Sequence, residues 1–211
     1  FLFKRNFPPP YFKATTKGEA MDWEDVIHNY IPKSEEEKKY KEVFLYSIDY
    51  FNDILTRHNP IVHLTSSAFV VNKKFDHALM IYHNIYDSWS WTGGHVDGET
   101  DFLKVAIKEV KEETGIFVKA ITSMPLSIDV LSVIGHFKRG EYVAPHLHLS
   151  IAYGAIGDEE QELVIKKDGN SAVKWIPIEQ VNIYSTESHM KDIYDKLINR
   201  ILQYKKVTTT L

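Results

Sequence analysis

Three carboxylates, Glu109, Glu112 and Glu113, close a stretch whose apolar residues recur at helical spacing. Residues three and four apart on a helix are neighbours, so these acids crowd and repel one another. They fall at the C-terminal end, where the helix dipole already disfavours negative charge. The stripe that they prolong, Phe102, Val105 and Ala106, should face the core, so some desolvation follows, and an unpaired buried carboxylate is costly. A divalent cation removes all three objections. Carboxylates with room for water and phosphate oxygens suit Mg2+ or Mn2+. The competing reading is a solvated, salt-bridged face built with Lys104, Lys108 and Lys111. Spacing alone leaves both open.

The elements that would position these acids are written on either side of them. Gly93-Gly94-His95-Val96-Asp97-Gly98-Glu99-Thr100 is a glycine-rich loop that turns into the helix at Thr100 or Asp101, either of which can cap the first free N–H groups. Thr114-Gly115 supplies the stop, because Gly adopts the left-handed conformation after a last helical turn. A flexible backbone beside a carboxylate cluster lets a phosphate approach closely, which favours the metal reading.

Residues 93–116 resemble the Nudix box. That pattern runs glycine, five residues, glutamate, seven residues, then Arg-Glu-aliphatic-any-Glu-Glu-any-Gly-aliphatic. Its second half is matched by Lys108-Glu109-Val110-Lys111-Glu112-Glu113-Thr114-Gly115-Ile116, with Lys for Arg. In the first half, four residues rather than five separate Gly94 from Glu99, and eight rather than seven separate Glu99 from Lys108. The resemblance implies an α/β/α sandwich with a mixed sheet, in the α/β (α+β) class. It also implies metal-dependent hydrolysis of a diphosphate bond in a nucleoside diphosphate derivative or related metabolite, with Mg2+ or Mn2+ as cofactor. Carried over residue by residue, Glu109, Glu112 and Glu113 are the metal ligands, Gly94 offers its carbonyl, and Glu109 or Glu112 takes the proton from water. Lys108 and Glu99 would brace loop against helix, although Lys lacks the planar fork of Arg.

The rest of the chain frames this box. At 211 residues, 44% hydrophobic, it holds enough for one domain with a full core and an accessory segment. A net charge of −4 argues against a protein that coats nucleic acid. With no cysteine, disulfides, thiolate zinc sites and a cysteine nucleophile are excluded, in keeping with the cytoplasm. No apolar run approaches the about 18 residues that a membrane helix needs. Residues 1–20, with Pro8-Pro9-Pro10, read as a leader or arm, and residues 21–58 as a helical extension. There Ser34 caps a helix whose apolar side runs Tyr40, Phe44, Ile48, Phe51 and Leu55. That side is expected to cover the sheet, with a homodimer or substrate-choosing surface as the other use. Residues 59–205 would form the catalytic domain and 206–211 a frayed tail.

Within that domain, Ile61–Val71 and His77–Tyr82 read as strands joined by a turn at Asn72–Asp76. Ser127–Phe137 and Pro145–Gly154 follow the box, separated by a turn at 138–141, and Ser171–Pro177 is the last strand. A closing helix spans Glu187 to about Tyr204. Trp89 and Trp91 share a strand face, where core packing is favoured over stacking on a base or sugar. His146 and His148 also share a face. With no Cys and no third ligand evident, zinc is the weaker reading there, and His148 is set down as a substrate contact. In the family a Glu from a loop often joins the site shortly before the last strand's Trp. Here that place is Gly169, so Glu162 or Asp168 would substitute, or no such residue is needed.

The expected partner is a small nucleotide or diphosphate, with no nucleic acid and no membrane. Two rivals stand: a non-catalytic, nucleotide-sensing Nudix-like module, and an enzyme like isopentenyl-diphosphate isomerase. The latter branch relies on a catalytic cysteine, which this chain lacks.

Overall fold

Eleven consecutive buried residues make Val62–Asn72 (β1) the strand on which the sheet is assembled. Such a run fits a strand covered on both faces, and period-two alternation divides it between two cores. Val62, Leu64, Ala68 and Val70 face one apolar cluster, and Phe69 and Val71 face the other. The structure, a computed structural model, describes residues 23–138, 140–165 and 169–209. The leader expected at residues 1–20 lies outside them, as does Asp168.

The order in the main sheet is β10-β2-β1-β9-β5, formed with His77–His83 (β2), Val118–Ala120 (β5), His146–Gly157 (β9) and Asn170–Pro177 (β10). Ser88–Ser90 (β3) pairs with β2, Thr92–His95 (β4) with β1, and Ser127–Val133 (β6) with β9. β1 and β9 run parallel along their whole length, from Val62 opposite Leu147 to Asn72 opposite Gly157; the other pairings are antiparallel. The sheet is therefore mixed.

Helices cover both faces. Trp23–His28 (α1), Glu35–Tyr50 (α2) and Phe102–Thr114 (α3) lie on the Leu64 side, contributing Ile27, Phe44, Phe102, Val105, Ala106 and Val110 to one core. Ser188–Thr209 (α5) covers the Phe69 side with Met190, Tyr194, Leu197 and Ile201; the short Val181–Tyr184 (α4) adds Val181. The helical segment before β1 thus shares a core with the sheet. No helix among the described residues is long and apolar enough to cross a membrane.

Several expected boundaries moved, for identifiable reasons. Ser34 caps α2 as expected, its hydroxyl accepting the Glu37 N–H at 3.1 Å. The helix ends at Tyr50 instead of running on past Leu55. The carbonyls of Ile54 and Leu55 accept the Leu64 and Gly98 N–H groups, both at 2.8 Å, so long-range partners claim them. The strand expected over Ser127–Phe137 breaks at Val133. Residues 136–143 form a separate hairpin, His136–Lys138 (β7) with Glu141–Val143 (β8). The tail expected after 205 is helical to Thr209. Lys205 Nζ holds that last stretch by donating to the Lys74 carbonyl at 2.6 Å.

Candidate functional site

Local chemistry sets the rotation of α3 and with it the direction of the acids. Asp101, rather than Thr100, is the N-cap, accepting the Lys104 N–H at 3.0 Å. Gly115 ends the helix at φ 79°, where an L side chain would be strained. With Phe102, Ala106 and Val110 buried, the next positions on that face are Glu109 and Glu113.

Both acids meet the paired glycines of β4. Glu113, 8% exposed, accepts the Gly93 N–H on one carboxylate oxygen and the Asn170 side-chain N–H on the other, each at 3.1 Å. A Cβ on Gly94 would stand 2.7 Å from the carboxyl carbon of Glu109, and one on Gly93 would stand 2.2 Å from Ser67 Oγ. Neither place has room for a side chain. Glu112 lies one turn from Glu109 on the exposed side, 3.2 Å from Lys108 Nζ. Glu109 and Glu113 thus set hard oxygen donors, the kind that Mg2+ or Mn2+ takes, against the bare backbone of β4, with Glu112 beside them on the exposed side.

A NUDIX domain model matches residues 62–197. The chain belongs to the Nudix family. Among curated protein sequences none matches. Solved structures that resemble it include a NUDIX-family hydrolase from Clostridium perfringens. That match has 18% identity and a TM-score of 0.47, covering 66% of this chain and 97% of that one. A C. elegans Ap4A hydrolase is 15% identical with a TM-score of 0.46, covering 68% and 97%. An E. coli dihydroneopterin triphosphate pyrophosphohydrolase is 14% identical with a TM-score of 0.48, covering 64% and 94%.

The Nudix box is braced differently from what its spacing suggested. Glu99 accepts from Lys104 Nζ at 2.7 Å, and Lys108 turns to Glu112, so the expected Glu99–Lys108 pair does not form. With the loop one residue short, Glu99 sits just ahead of the helix, nearer in sequence to Lys104 than to Lys108. The planar fork comes instead from Arg57, outside the box. Its Nε donates to Asp97 Oδ1 at 3.0 Å and its Nη2 donates to Oδ2. Asp97 stands at φ 47°, a conformation that Asp tolerates better than most residues, and the guanidinium holds its carboxyl below the usual range. Arg57 and Asn170 are the site residues that sequence reasoning missed. The Arg lies 40 residues from its partner and the Asn 57; neither belongs to a motif.

The remaining candidates lie elsewhere. Trp91 is buried edge-on against Tyr194, and Trp89 packs edge-on to Tyr82 and Tyr184, both on the α5 side. Glu162 is exposed. It sits on a strap fastened near the end of α3: Gln161 bonds both the N–H and the carbonyl of Phe117 at 2.8 Å, and the Val164 N–H donates to the Thr114 carbonyl. Lys73 and Lys74 draw Asp158 and Glu159 to the β1–β2 turn.

His148 lies on the opposite sheet face from the acids, between Leu147 and Leu149 of the α3-side core. Burial first, and neighbouring imidazoles second, push its pKa down from 6.5 to about 2. Burial and then Arg57 push that of His95 down to about 3. Below pH 6.5 the unfolded chain binds protons that these folded imidazoles refuse. Their contribution to stability is therefore complete above pH 6.5 and is lost as pH falls through the window toward 3. Each adds a slope of up to about 1.4 kcal/mol per pH unit. Urea unfolding in metal-free buffer between pH 7.5 and 5, above the carboxylate range, should show this steep loss. His148→Gln should flatten it. An equal slope in the variant would contradict the assignment.

Proposed function

We propose that the chain is a metal-dependent pyrophosphohydrolase that cleaves a diphosphate bond in a nucleoside diphosphate derivative or a related phosphorylated metabolite. The observation that carries this reading is the meeting of Glu109 and Glu113 with the bare backbone of Gly93-Gly94. Glu109, Glu112, Glu113 and the Gly94 carbonyl would hold Mg2+ or Mn2+, which when bound neutralises phosphate charge and lowers the pKa of coordinated water.

The chain's own groups supply position and proton transfer. The glycines let the Glu109 carboxylate and Ser67 lie against β4, and Arg57, fixed by Asp97, keeps the loop in place. A water oxygen bonds to one phosphorus as the bridging P–O bond breaks, giving two phosphorylated products. The water's proton passes to Glu109 or Glu112. Electrostatics and orientation do most of the work in such a transfer. Retention of all three box acids supports an enzyme over a sensing module, and the absence of cysteine sets the isomerase reading aside. We place the enzyme in the cytoplasm, acting on a small molecule, with a homodimer as its possible assembly.

The test is a panel of nucleotide sugars, dinucleotides, oxidised triphosphates and coenzyme A, assayed with Mg2+ and with Mn2+ for release of phosphate or a nucleoside monophosphate. Turnover of at least one class, abolished by chelator, is expected. Nucleotide binding without turnover of any class would favour the sensing module.

A further inference from the structure

Four histidines from three strands converge at one end of the sheet, away from the acids. His63 on β1 stands opposite His148 on β9, His146 precedes His148 by two residues on the same face, and His95 of β4 pairs with Thr65, two residues beyond His63. One ring nitrogen each of His63, His95 and His148 lies within 4.8 Å of the other two. The Nε2 atoms of His146 and His148 are 3.2 Å apart. The His63 ring centroid is 4.7 to 5.0 Å from those of the other three.

The protons on two of these rings are fixed by backbone. His63 Nδ1 is 3.1 Å from the Asn59 carbonyl and His146 Nδ1 is 2.8 Å from the Ala144 carbonyl. A carbonyl can only accept, so each Nδ1 carries the hydrogen and each Nε2 presents a lone pair. That is how metal-binding imidazoles are held, the far nitrogen donating to a carbonyl so that the near one faces the ion. His63 is 4% exposed and its Nε2 has no hydrogen-bond partner. A buried acceptor left bare calls for an explanation, and hydrogen bonding within the cluster does not supply one.

We infer that His63, His95, His148 and His146 form a binding site for a transition-metal ion of the Zn2+ class, separate from the carboxylate site of the Nudix box. Neutral imidazoles without a carboxylate among them suit Zn2+, Co2+, Ni2+ or Cu2+ and not Mg2+. Tetrahedral Zn2+ at about 2.0–2.1 Å from each nitrogen sets nitrogens about 3.4 Å apart; those of His146 and His148 stand at 3.2 Å, and those of His63, His95 and His148 lie within 4.8 Å. Arg57 and Lys138 are the nearby cations, and the fork pair of Arg57 with Asp97 offsets the charge of the first.

The two sites are neighbours without being one. Gly94 and His95 are consecutive on β4, so their Cβ directions point to opposite faces. Gly94 looks toward Glu109, whereas His95 looks toward His63 and His148. An ion in the histidine cluster would join the starts of β1 and β9 to β4, stiffening the strand that presents Gly93-Gly94. This site does not depend on the proposed hydrolysis, because its readout is metal content.

The experiment uses the full chain without a histidine tag, stripped with chelator and then dialysed at pH 7.5 against Co2+ or Zn2+ with Mg2+ in large excess. One Co2+ per chain is expected, with the visible bands of a low-coordination imidazole site, displaced by Zn2+. His148→Gln and His63→Gln should each weaken retention by more than the about 10–100-fold that losing a group which merely supports a ligand costs. Glu109→Gln should keep the ion. If the buried His63 variant does not fold, the partly exposed His146→Ala carries the same expectation of weaker binding. Wild-type melting should also rise with free Zn2+. Failure of the wild type to hold Co2+ against Mg2+, retention in both His148→Gln and His146→Ala, or loss in Glu109→Gln would overturn the assignment.

Discussion

Glu109→Gln is expected to cut turnover by at least about a hundredfold while leaving the melting temperature near that of the parent. Its carboxylate sits where Gly94 has no Cβ, so the neutral amide fits the same room, and what goes is the negative charge felt by Arg57 and Lys108. Glu112→Gln should behave alike, since this exposed side chain pairs with the exposed Lys108. Glu113→Gln is different. Both of its oxygens accept a hydrogen bond, from Gly93 N–H and from Asn170, and an amide has one oxygen. The backbone N–H cannot turn, so it keeps that oxygen and Asn170 must rotate its own amide to accept from the new NH2. A loss of about 1 kcal/mol is expected beside the loss of activity. The measurements are kcat under saturating Mg2+ or Mn2+ and thermal melts on the same preparations. Near-parental kcat in the Glu109 and Glu112 variants would remove the carboxylate site from the mechanism.

The contrast between these acids and their supports shows what a sequence displays. The helix that carries Glu109 and Glu113 is locally encoded: Asp101 caps it, Gly115 ends it and Val105, Ala106 and Val110 fix its buried side. Each of those signals acts within a few residues, so the face presented to Gly93-Gly94 could be inferred beforehand. The brace could not. Arg57 meets Asp97 only because α2 stops at Tyr50 and the following turn delivers Leu55 O to Gly98 N–H, and that ending, capped by Phe51 in extended conformation, has no glycine to announce it. The same holds for the histidines. His146 and His148 show their shared face by spacing, but His63 joins them only through the parallel register of β1 with β9, and His95 through the antiparallel register of β4. Strand register is a property of the folded sheet, and that is where the third and fourth ring came from.

Glu37→Ala is expected to destabilise the whole chain by about 3–5 kcal/mol, because it strips the counter-charge from a buried cluster. Glu37 on α2 is fully buried. It accepts from Arg200 Nη1 at 2.6 Å and from the Lys33 N–H at 2.8 Å, with Lys196 Nζ at 3.3 Å. Arg200 also donates to Tyr30 Oη and the Leu126 carbonyl, and Lys196 to the buried Asp129 at 2.5 Å. The cluster thus ties the first helices to β6 and to α5, and removing the acid leaves the Arg200 guanidinium buried without its carboxylate, beside a Lys196 that keeps Asp129. Replacing both partners with Glu37→Met and Arg200→Met should cost less than Glu37→Ala alone, since no uncompensated charge pair is created and Lys196 keeps Asp129. Urea unfolding of the three proteins decides this. The acid side offers a second reading. Burial alone would raise the Glu37 pKa, yet the bonds from Arg200 and Lys33 and the charges of Arg200 and Lys196 carry it below 4.5. Its stabilisation is therefore present above pH 4.5 and disappears as pH falls through the folded value. Asp129 is shifted upward, burial outweighing Lys196, so its contribution has the opposite sign: complete below the unfolded 3.8 and lost as pH rises through the folded value. Subtracting the pH profile of Glu37→Gln from that of the parent isolates the first effect. A difference that grows with acidity, instead of shrinking, would mean that Glu37 is not held ionised by Arg200.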